Sequence, residues 1–375
     1  MKAVHKCDTE SGKGKKILWL SPSFNHYKSR FLDQLAREKE ICLTVLSGAG
    51  REGMGDLELD RDWAYDYQKI DVTKSNFGNS AVVRSKLRSM FKKFDWVLIP
   101  AEKKNTALLF YAVFLRVFHP KTKLFSYCHP TTISRNGRVT FLDNLVTNTY
   151  FKLLDRTVFY TQDSCEWAVN NKKISRVKAY WANNTIDTNE VAQSYSFHFP
   201  PENRRGIVFI GRIIPSKRID LLLIYYHELR KSFPELTLDV IGDGPESHIL
   251  EKAARKCDKI RLHGSIIDEK RIAPLMSNAT MVFVPGLSGL SVNHAFAYGR
   301  AYFTLNVVKH APEIGYLENG VEGYQLAGDF ESNIGVLKDF LSDREKIRSF
   351  SMNAFKKSET LSVDAWVKQI KRCFQ

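Results

Sequence analysis

The stretch Gly206-Ile-Val-Phe-Ile-Gly211-Arg-Ile-Ile-Pro-Ser-Lys217-Arg-Ile219-Asp-Leu-Leu222 decides the fold. Gly206–Ile210 is a short apolar run with glycine on either side of its core, which reads as a buried strand. A helix over Ile219–Phe233 follows, and then a strand over Leu236–Ile241. Strand, helix, strand is one parallel crossover unit. Toward the C-terminus the alternation continues. Gly242-Asp-Gly-Pro245 turns into a helix over Glu246–Cys257, followed by strands at Ile260–Leu262, Met281–Val284 and Tyr302–Leu305 and helices at Ile272–Ser277 and Ser291–Tyr298.

Toward the N-terminus, Thr185–Arg205 loses periodicity, carries Pro200-Pro201 and reads as a connection. Before it lies a second alternating run. Lys16–Leu20 and Ile41–Leu46 read as strands around a helix through Phe31, Leu32 and Leu35. Val83, Leu87, Met90, Phe91 and Phe94 share one face of a helix. Trp96–Pro100, Lys123–Tyr127 and Thr157–Tyr160 read as strands, with helices at Thr106–Phe118 and Leu142–Leu154. His119-Pro120 stops the first of these helices, because the residue before proline avoids helical geometry. Two such runs argue for an α/β chain of two Rossmann-like, doubly wound domains. The expected partition is a disordered leader at 1–15, a first domain at 16–195, a linker at 196–205, a second domain at 206–355, and a helix at 356–375 that crosses back to the first domain.

Composition agrees with a globular protein of about two domains: 375 residues, 43% hydrophobic and 26% charged. Lys and Arg number 56 against 41 Asp and Glu, a formal charge of +15 that calls for an anionic partner. Six scattered cysteines have no zinc-ligand spacing, and the plain expectation is buried thiols in a reducing compartment. The N-terminus is polar, without the apolar core of a signal peptide, and Leu108–Phe118 is far short of the ~20 residues of a membrane span. A cytoplasmic location is expected, with peripheral attachment to an anionic membrane through Arg84, Arg88 and Lys92 on the helix at 83–94. The plain alternative for that helix is a core face with solvated cations. Walker loops, nucleophile elbows, metal-ligand spacings and nucleic-acid-binding signatures are absent from the sequence, so no metal, no cofactor and no nucleic acid are expected.

Parallel sheets bind ligands beyond the carboxyl ends of their strands. Residues just after strands are therefore the candidates for chemistry. Gly211–Lys217 offers two cations, Arg212 and Lys217, suited to a diphosphate. Pro285-Gly286-Leu-Ser-Gly289-Leu290-Ser291 offers backbone N–H groups at a helix start, with His294 one turn on. His129 ends a strand and can titrate near neutral pH. Asn25, Tyr27 and Lys103 follow strands in the first domain and are candidates for an acceptor side. The plain alternatives are a solvated basic loop, a tight turn and a structural histidine.

Several of these stretches occur in a familiar order: Gly211-Arg212 to Leu222, Leu238 to Pro245, Leu262-His-Gly264, Val284 to Gly299, and Pro312-Glu313 to Tyr324. In that order they resemble the C-terminal half of the group-four retaining glycosyltransferases, whose fold is GT-B: two Rossmann-like domains facing across a cleft. The resemblance implies a nucleotide-diphosphate sugar as donor. It implies that Arg212 and Lys217 meet the diphosphate, and that Gly211, Gly289, Leu290 and Ser291 cradle phosphates and sugar. His129 matches a cleft histidine near the reacting sugar. The family's two glutamates, eight positions apart, are replaced here by Gly286 and His294. The pattern resembles a surface-polysaccharide sub-branch in which histidine takes the second glutamate's place at the ribose, and Glu313 is the candidate for a carboxylate contact. The expected function is transfer of a sugar, with retention and without a metal, to a glycan or lipid-linked acceptor. The alternatives are a nucleotide-sugar epimerase of the same fold and a non-catalytic polyanion-binding protein.

Overall fold

A computed structural model describes residues 14–24, 26–50, 62–130, 140–171, 174–306 and 309–375. The chain forms two compact units. The first runs to Asn184 and regains Val363–Gln375, and the second is Thr185–Ser362.

In the first unit the elements alternate: β1 (Lys15–Ser21), α1 (His26–Ala36), β2 (Ile41–Ser47), β3 (Asp66–Lys69), α2 (Ala81–Met90), β4 (Trp96–Leu98), α3 (Thr106–Phe118), β5 (Lys123–Cys128), α4 (Phe141–Leu153), β6 (Arg156–Phe159), α5 (Gln162–Asn170) and β7 (Ala179–Trp181). The strands pair in parallel in the order β3-β2-β1-β4-β5-β6-β7. Ile17–Leu20 of β1 are all buried, as a central parallel strand covered on both faces requires. One face carries α2, α3 and α4, whose Val83, Leu87, Leu108, Ala112 and Tyr150 pack with Leu18 and Val97. The other face carries α1, with Phe31 and Leu35 against Ile17 and Trp19.

The second unit holds α6 (Thr188–Ser194), β8 (Gly206–Ile210), α7 (Ile219–Ser232), β9 (Thr237–Ile241), α8 (Ser247–Ala254), β10 (Ile260–Leu262), α9 (Glu269–Ser277), β11 (Met281–Phe283), α10 (Ser291–Ala297), β12 (Ala301–Leu305), β13 (Gly323–Leu326), α11 (Phe330–Ser342) and α12 (Arg344–Thr360). Its strands are again parallel, in the order β10-β9-β8-β11-β12-β13. In both sheets the strand order reverses beside the first strand, between β1 and β4 and between β8 and β11. Such a switch point is where doubly wound sheets take ligands.

The unit boundaries differ from the expected 195 and 355. Thr188–Ser194 is a helix, not irregular chain: the Asp187 carboxylate accepts from the N–H groups of Asn189 and Glu190, and Ile186 and Val191 join the second unit's core. The expected single helix at 356–375 is two, because α12 ends at Thr360 and α13 (Val363–Lys371) starts anew. α13 belongs to the first unit, where buried Trp366 lies 4.3 Å from the Phe31 ring and donates its Nε1–H to the Tyr127 hydroxyl at 3.2 Å. Cys128, Cys165, Cys257 and Cys373 are buried thiols, whereas Cys42 is disulfide-bonded, contrary to the expectation of thiols throughout. Among the described residues no helix is long and apolar enough to cross a membrane.

Candidate functional site

At the switch point of the second unit, the loop after β8 and the loop after β11 are joined to each other. The Gly286 N–H donates to the Lys217 carbonyl at 3.1 Å and the Leu287 N–H to the Ser216 carbonyl at 2.7 Å. A Cβ at position 286 would collide with the Ser216 carbonyl and the Lys217 backbone. Glycine stands there because two backbones cross, and its own N–H is taken by that crossing. Gly211 opens the first loop at φ 145°, and Arg218 closes it at φ 55°, a left-handed conformation uncommon for a residue with a side chain.

Lys217 is buried and donates its Nζ to the Leu287 carbonyl at 2.6 Å. Burial, and then the Arg212 guanidinium nearby, pull its pKa down to about 8, with Glu313 pulling the other way. Arg212 is exposed at the loop's rim, while Glu313 is buried on the short 3₁₀ turn Pro312–Tyr316. Arg212, Lys217 and Glu313 therefore share one electrostatic neighbourhood. His310 joins it. Its Nδ1 accepts the Ser288 N–H at 3.0 Å and its Nε2 lies 3.0 Å from the Leu305 carbonyl. That arrangement fixes a neutral ring with the proton on Nε2. Burial lowers the His310 pKa, the bond to Leu305 opposes this, and Lys217 adds to the lowering.

Beneath the second loop the hydroxyls are spent on one another. Tyr302 donates to Ser288 Oγ at 2.8 Å, Ser291 Oγ lies 2.8 Å from the Tyr302 hydroxyl, and Ser288 Oγ donates to Thr304 at 3.0 Å. The Ser291 side chain thus faces inward, and what the loop offers outward is backbone. The N–H groups of Gly289, Leu290 and Ser291 donate to no other described residue. These three consecutive donors follow shortly after Leu287, whose carbonyl holds the Lys217 ammonium, and such a run of backbone N–H groups suits phosphate oxygens.

One turn into α10, His294 Nε2 lies 3.0 Å from Glu269 Oε1, and Glu269 Oε2 accepts the Tyr298 hydroxyl at 2.7 Å. The carboxylate absent from position 294 is thus supplied from α9, behind the histidine. Burial, with Glu269 next to it, raises the Tyr298 pKa. Neither Glu269 nor His310 was a sequence candidate. His310 follows a strand and met the rule that selected the others, whereas Glu269, at the start of a helix, carried no signal.

In the first unit, His129 is exposed at the end of β5, its ring edge-on to Tyr160 at 4.5 Å. Tyr160 also packs edge-on against Tyr127, and its hydroxyl accepts from Lys28 Nζ at 3.2 Å. Lys28 and Tyr160 are thus neighbours of His129 that the sequence did not single out. Tyr27 is half-buried against the aromatic core of the sheet. Asn25 lies outside the described residues. Lys103, expected on the acceptor side, is tied to Asp143 at 2.5 Å; Lys103, and then Thr140, hold that carboxyl down to about 2. The first-unit candidates and the second-unit cluster lie in separate compact units.

Residues 204–343 match the family model described as glycosyl transferases group 1. That stretch holds Gly211, Arg212, Lys217, His294, His310 and Glu313. An uncharacterized glycosyltransferase of Bacillus subtilis, YqgM, is 28% identical over 156 residues, which is 39% of this chain and 42% of that protein. The match therefore spans about two fifths of that relative's length. Among solved structures, Anabaena Alr3699/HepE in complex with UDP superposes with a TM-score of 0.69 at 15% identity, covering 96% of this chain and 99% of that one. The lipopolysaccharide outer core galactosyltransferase WaaB, in its apo form, gives 0.66 at 15% identity with the same coverage. The fold is GT-B.

Proposed function

We propose that this protein is a glycosyltransferase that moves a sugar from a nucleotide-diphosphate donor to a glycan or lipid-linked acceptor, with retention. The observation that carries this is the conjunction, at one switch point, of Arg212, buried Lys217 and the open N–H groups of Gly289–Ser291, within the stretch matching the group 1 model. Cleaving a sugar from a diphosphate places negative charge on the leaving oxygen. Fixed cations and backbone donors aimed at that charge lower the barrier most where water is scarce. Lys217, desolvated before any ligand arrives, fits that task and would regain its full charge against a diphosphate. In this reading the two cations do the work that a metal does elsewhere. Glu313 and His294 contact the sugar and ribose, and His129 serves the reacting sugar from the first unit. The UDP in the HepE structure and the galactosyltransferase named for WaaB favour a uridine-type donor and a surface-polysaccharide role.

The test is donor hydrolysis and transfer with a panel of nucleotide sugars, with and without chelator, and the anomeric configuration of the product read by NMR. Hydrolysis of at least one donor with retained configuration in chelator is expected. Interconversion of free sugar nucleotides would indicate an epimerase, and no turnover with any donor would leave a polyanion-binding protein.

A further inference from the structure

We infer that the outer face of α2, α3 and α4 in the first unit docks on an anionic lipid surface. These three helices cover the same side of the sheet. Away from the core, Phe110, Phe114 and Phe118 recur every four residues along α3, and each is more than half exposed. Tyr111 stacks on Phe114, and Phe114 meets Phe118 edge-on at 5.1 Å, so the rings form a stripe and not isolated side chains. Phe141, Leu142 and Leu145, also more than half exposed, continue it on the first turns of α4. The ion pair of Lys103 with Asp143 fixes the start of α4 beside the approach to α3. Monomeric proteins seldom leave so many large apolar side chains together in water.

Charge identifies the occupant. Ser80–Lys123 carries ten Lys or Arg residues against Asp95 and Glu102, so eight of the chain's fifteen surplus positive charges lie in these 44 residues. Lys86, Arg88, Lys92 and Lys93 are exposed on α2 and the turn that follows it. An apolar stripe with a cationic flank matches the boundary between acyl chains and anionic headgroups. The same flank opposes a second copy of this chain, which would bring like charges together. The stripe also has a direction. Phe141 and Leu142 sit at the start of α4, on the carboxyl edge of the sheet, where a parallel α/β unit takes its ligand. A lipid-borne molecule at the bilayer surface would meet the unit at that edge.

The experiment is sedimentation of the full chain with vesicles of phosphatidylcholine alone or with about one third phosphatidylglycerol, at low and high salt. Binding to the anionic vesicles, weakened but not abolished by salt, is expected, with little binding to the neutral ones. The triple variant Phe110→Ser, Phe114→Ser, Phe118→Ser should bind about tenfold or more weakly. The variant Lys86→Glu, Arg88→Glu, Lys92→Glu should lose the preference for anionic lipid. Circular dichroism reports whether each variant folds, and the charge variant, altered only at exposed positions of the α2 region, decides alone if the aromatic one does not. Calorimetry with a nucleoside diphosphate on the same samples should be unchanged, which separates failure here from failure of the donor site. Equal pelleting with both vesicle types, pelleting with neither, or a dimer that the phenylalanine variant dissolves would overturn the proposal.

Discussion

The two units share a strand order and differ in what they build at its reversal. In the second unit the two switch-point loops are bonded to each other through Gly286 and Leu287, and a buried lysine is held between them. In the first unit the residues after β4 turn sideways: Lys104 pairs with Glu102 and Lys103 with Asp143 at the start of α4. The functional candidates there are aromatic, with His129, Tyr160 and Lys28 clustered at the ends of neighbouring elements. One edge sets backbone N–H groups and the buried Lys217 on two loops that are bonded to each other. The other is a set of rings and a cation whose shape depends on side chains from distant segments. The same topology therefore carries one set of candidates held by backbone bonds and another held by side-chain packing.

The sharpest break of this contrast is at Gly286. Gly286→Glu would restore the side chain seen in the resembling family, yet here it must force two backbones apart. A stability loss of about 1–3 kcal/mol is expected from such overpacking, together with loss of measurable nucleotide binding. Denaturant melts and calorimetry check both, and a variant that binds as well as wild type would show that the loops do not need to touch. Next come the cations. Arg212→Ala and Lys217→Met should each weaken nucleoside diphosphate binding by about 1.5–3 kcal/mol, the worth of a hydrogen bond to a charged group. Lys217→Met should do so without lowering the thermal midpoint, because the lysine is already desolvated at a cost to the fold.

His129→Ala tests the other unit. It should lower turnover by about tenfold or more while nucleotide affinity stays near wild type. A parallel loss of both would move His129 into the donor cradle. The smallest effect concerns His310. Its folded pKa is lowered, so the unfolded chain takes up the proton first. Its contribution to stability is complete above the ordinary histidine value of about 6.5 and is lost as pH falls through the lowered one. Denaturant melts at pH 7.5 and pH 5 should show a loss of stability at the lower pH that is smaller in His310→Asn, whose amide oxygen can accept the Ser288 N–H at either pH.

Much of the second unit was legible because its constraints are local. Gly206–Ile210 is a strand at the expected residues, and the glycines and cations of 211–217 and 286–291 lie within single loops. Glu269 was not legible, since it reaches His294 across 25 positions, and neither was the bond from Ser288 to His310 across 22. The polar strand Asp66–Lys69 lies at a sheet edge and has no apolar run to reveal it. Thr188–Ser194 is equally polar, with Val191 its only buried residue. In the first unit the basic line on α2 could be read from the sequence. The exposure of Phe110, Phe114 and Phe118 could not, because an apolar helix reads as core until its neighbours are placed.

The most direct test of the central claim is the pH dependence of nucleoside diphosphate binding. Lys217 must be charged to hold the diphosphate, and its value in the free protein is about 8. Affinity measured by calorimetry from pH 6.5 to 9.5 should be level at first. It should then turn down near pH 8, by at most about tenfold per pH unit, and the downturn should vanish in Lys217→Met. A flat profile in the wild type, or the same downturn in both proteins, would contradict the assignment of the donor diphosphate to the switch point of the second unit.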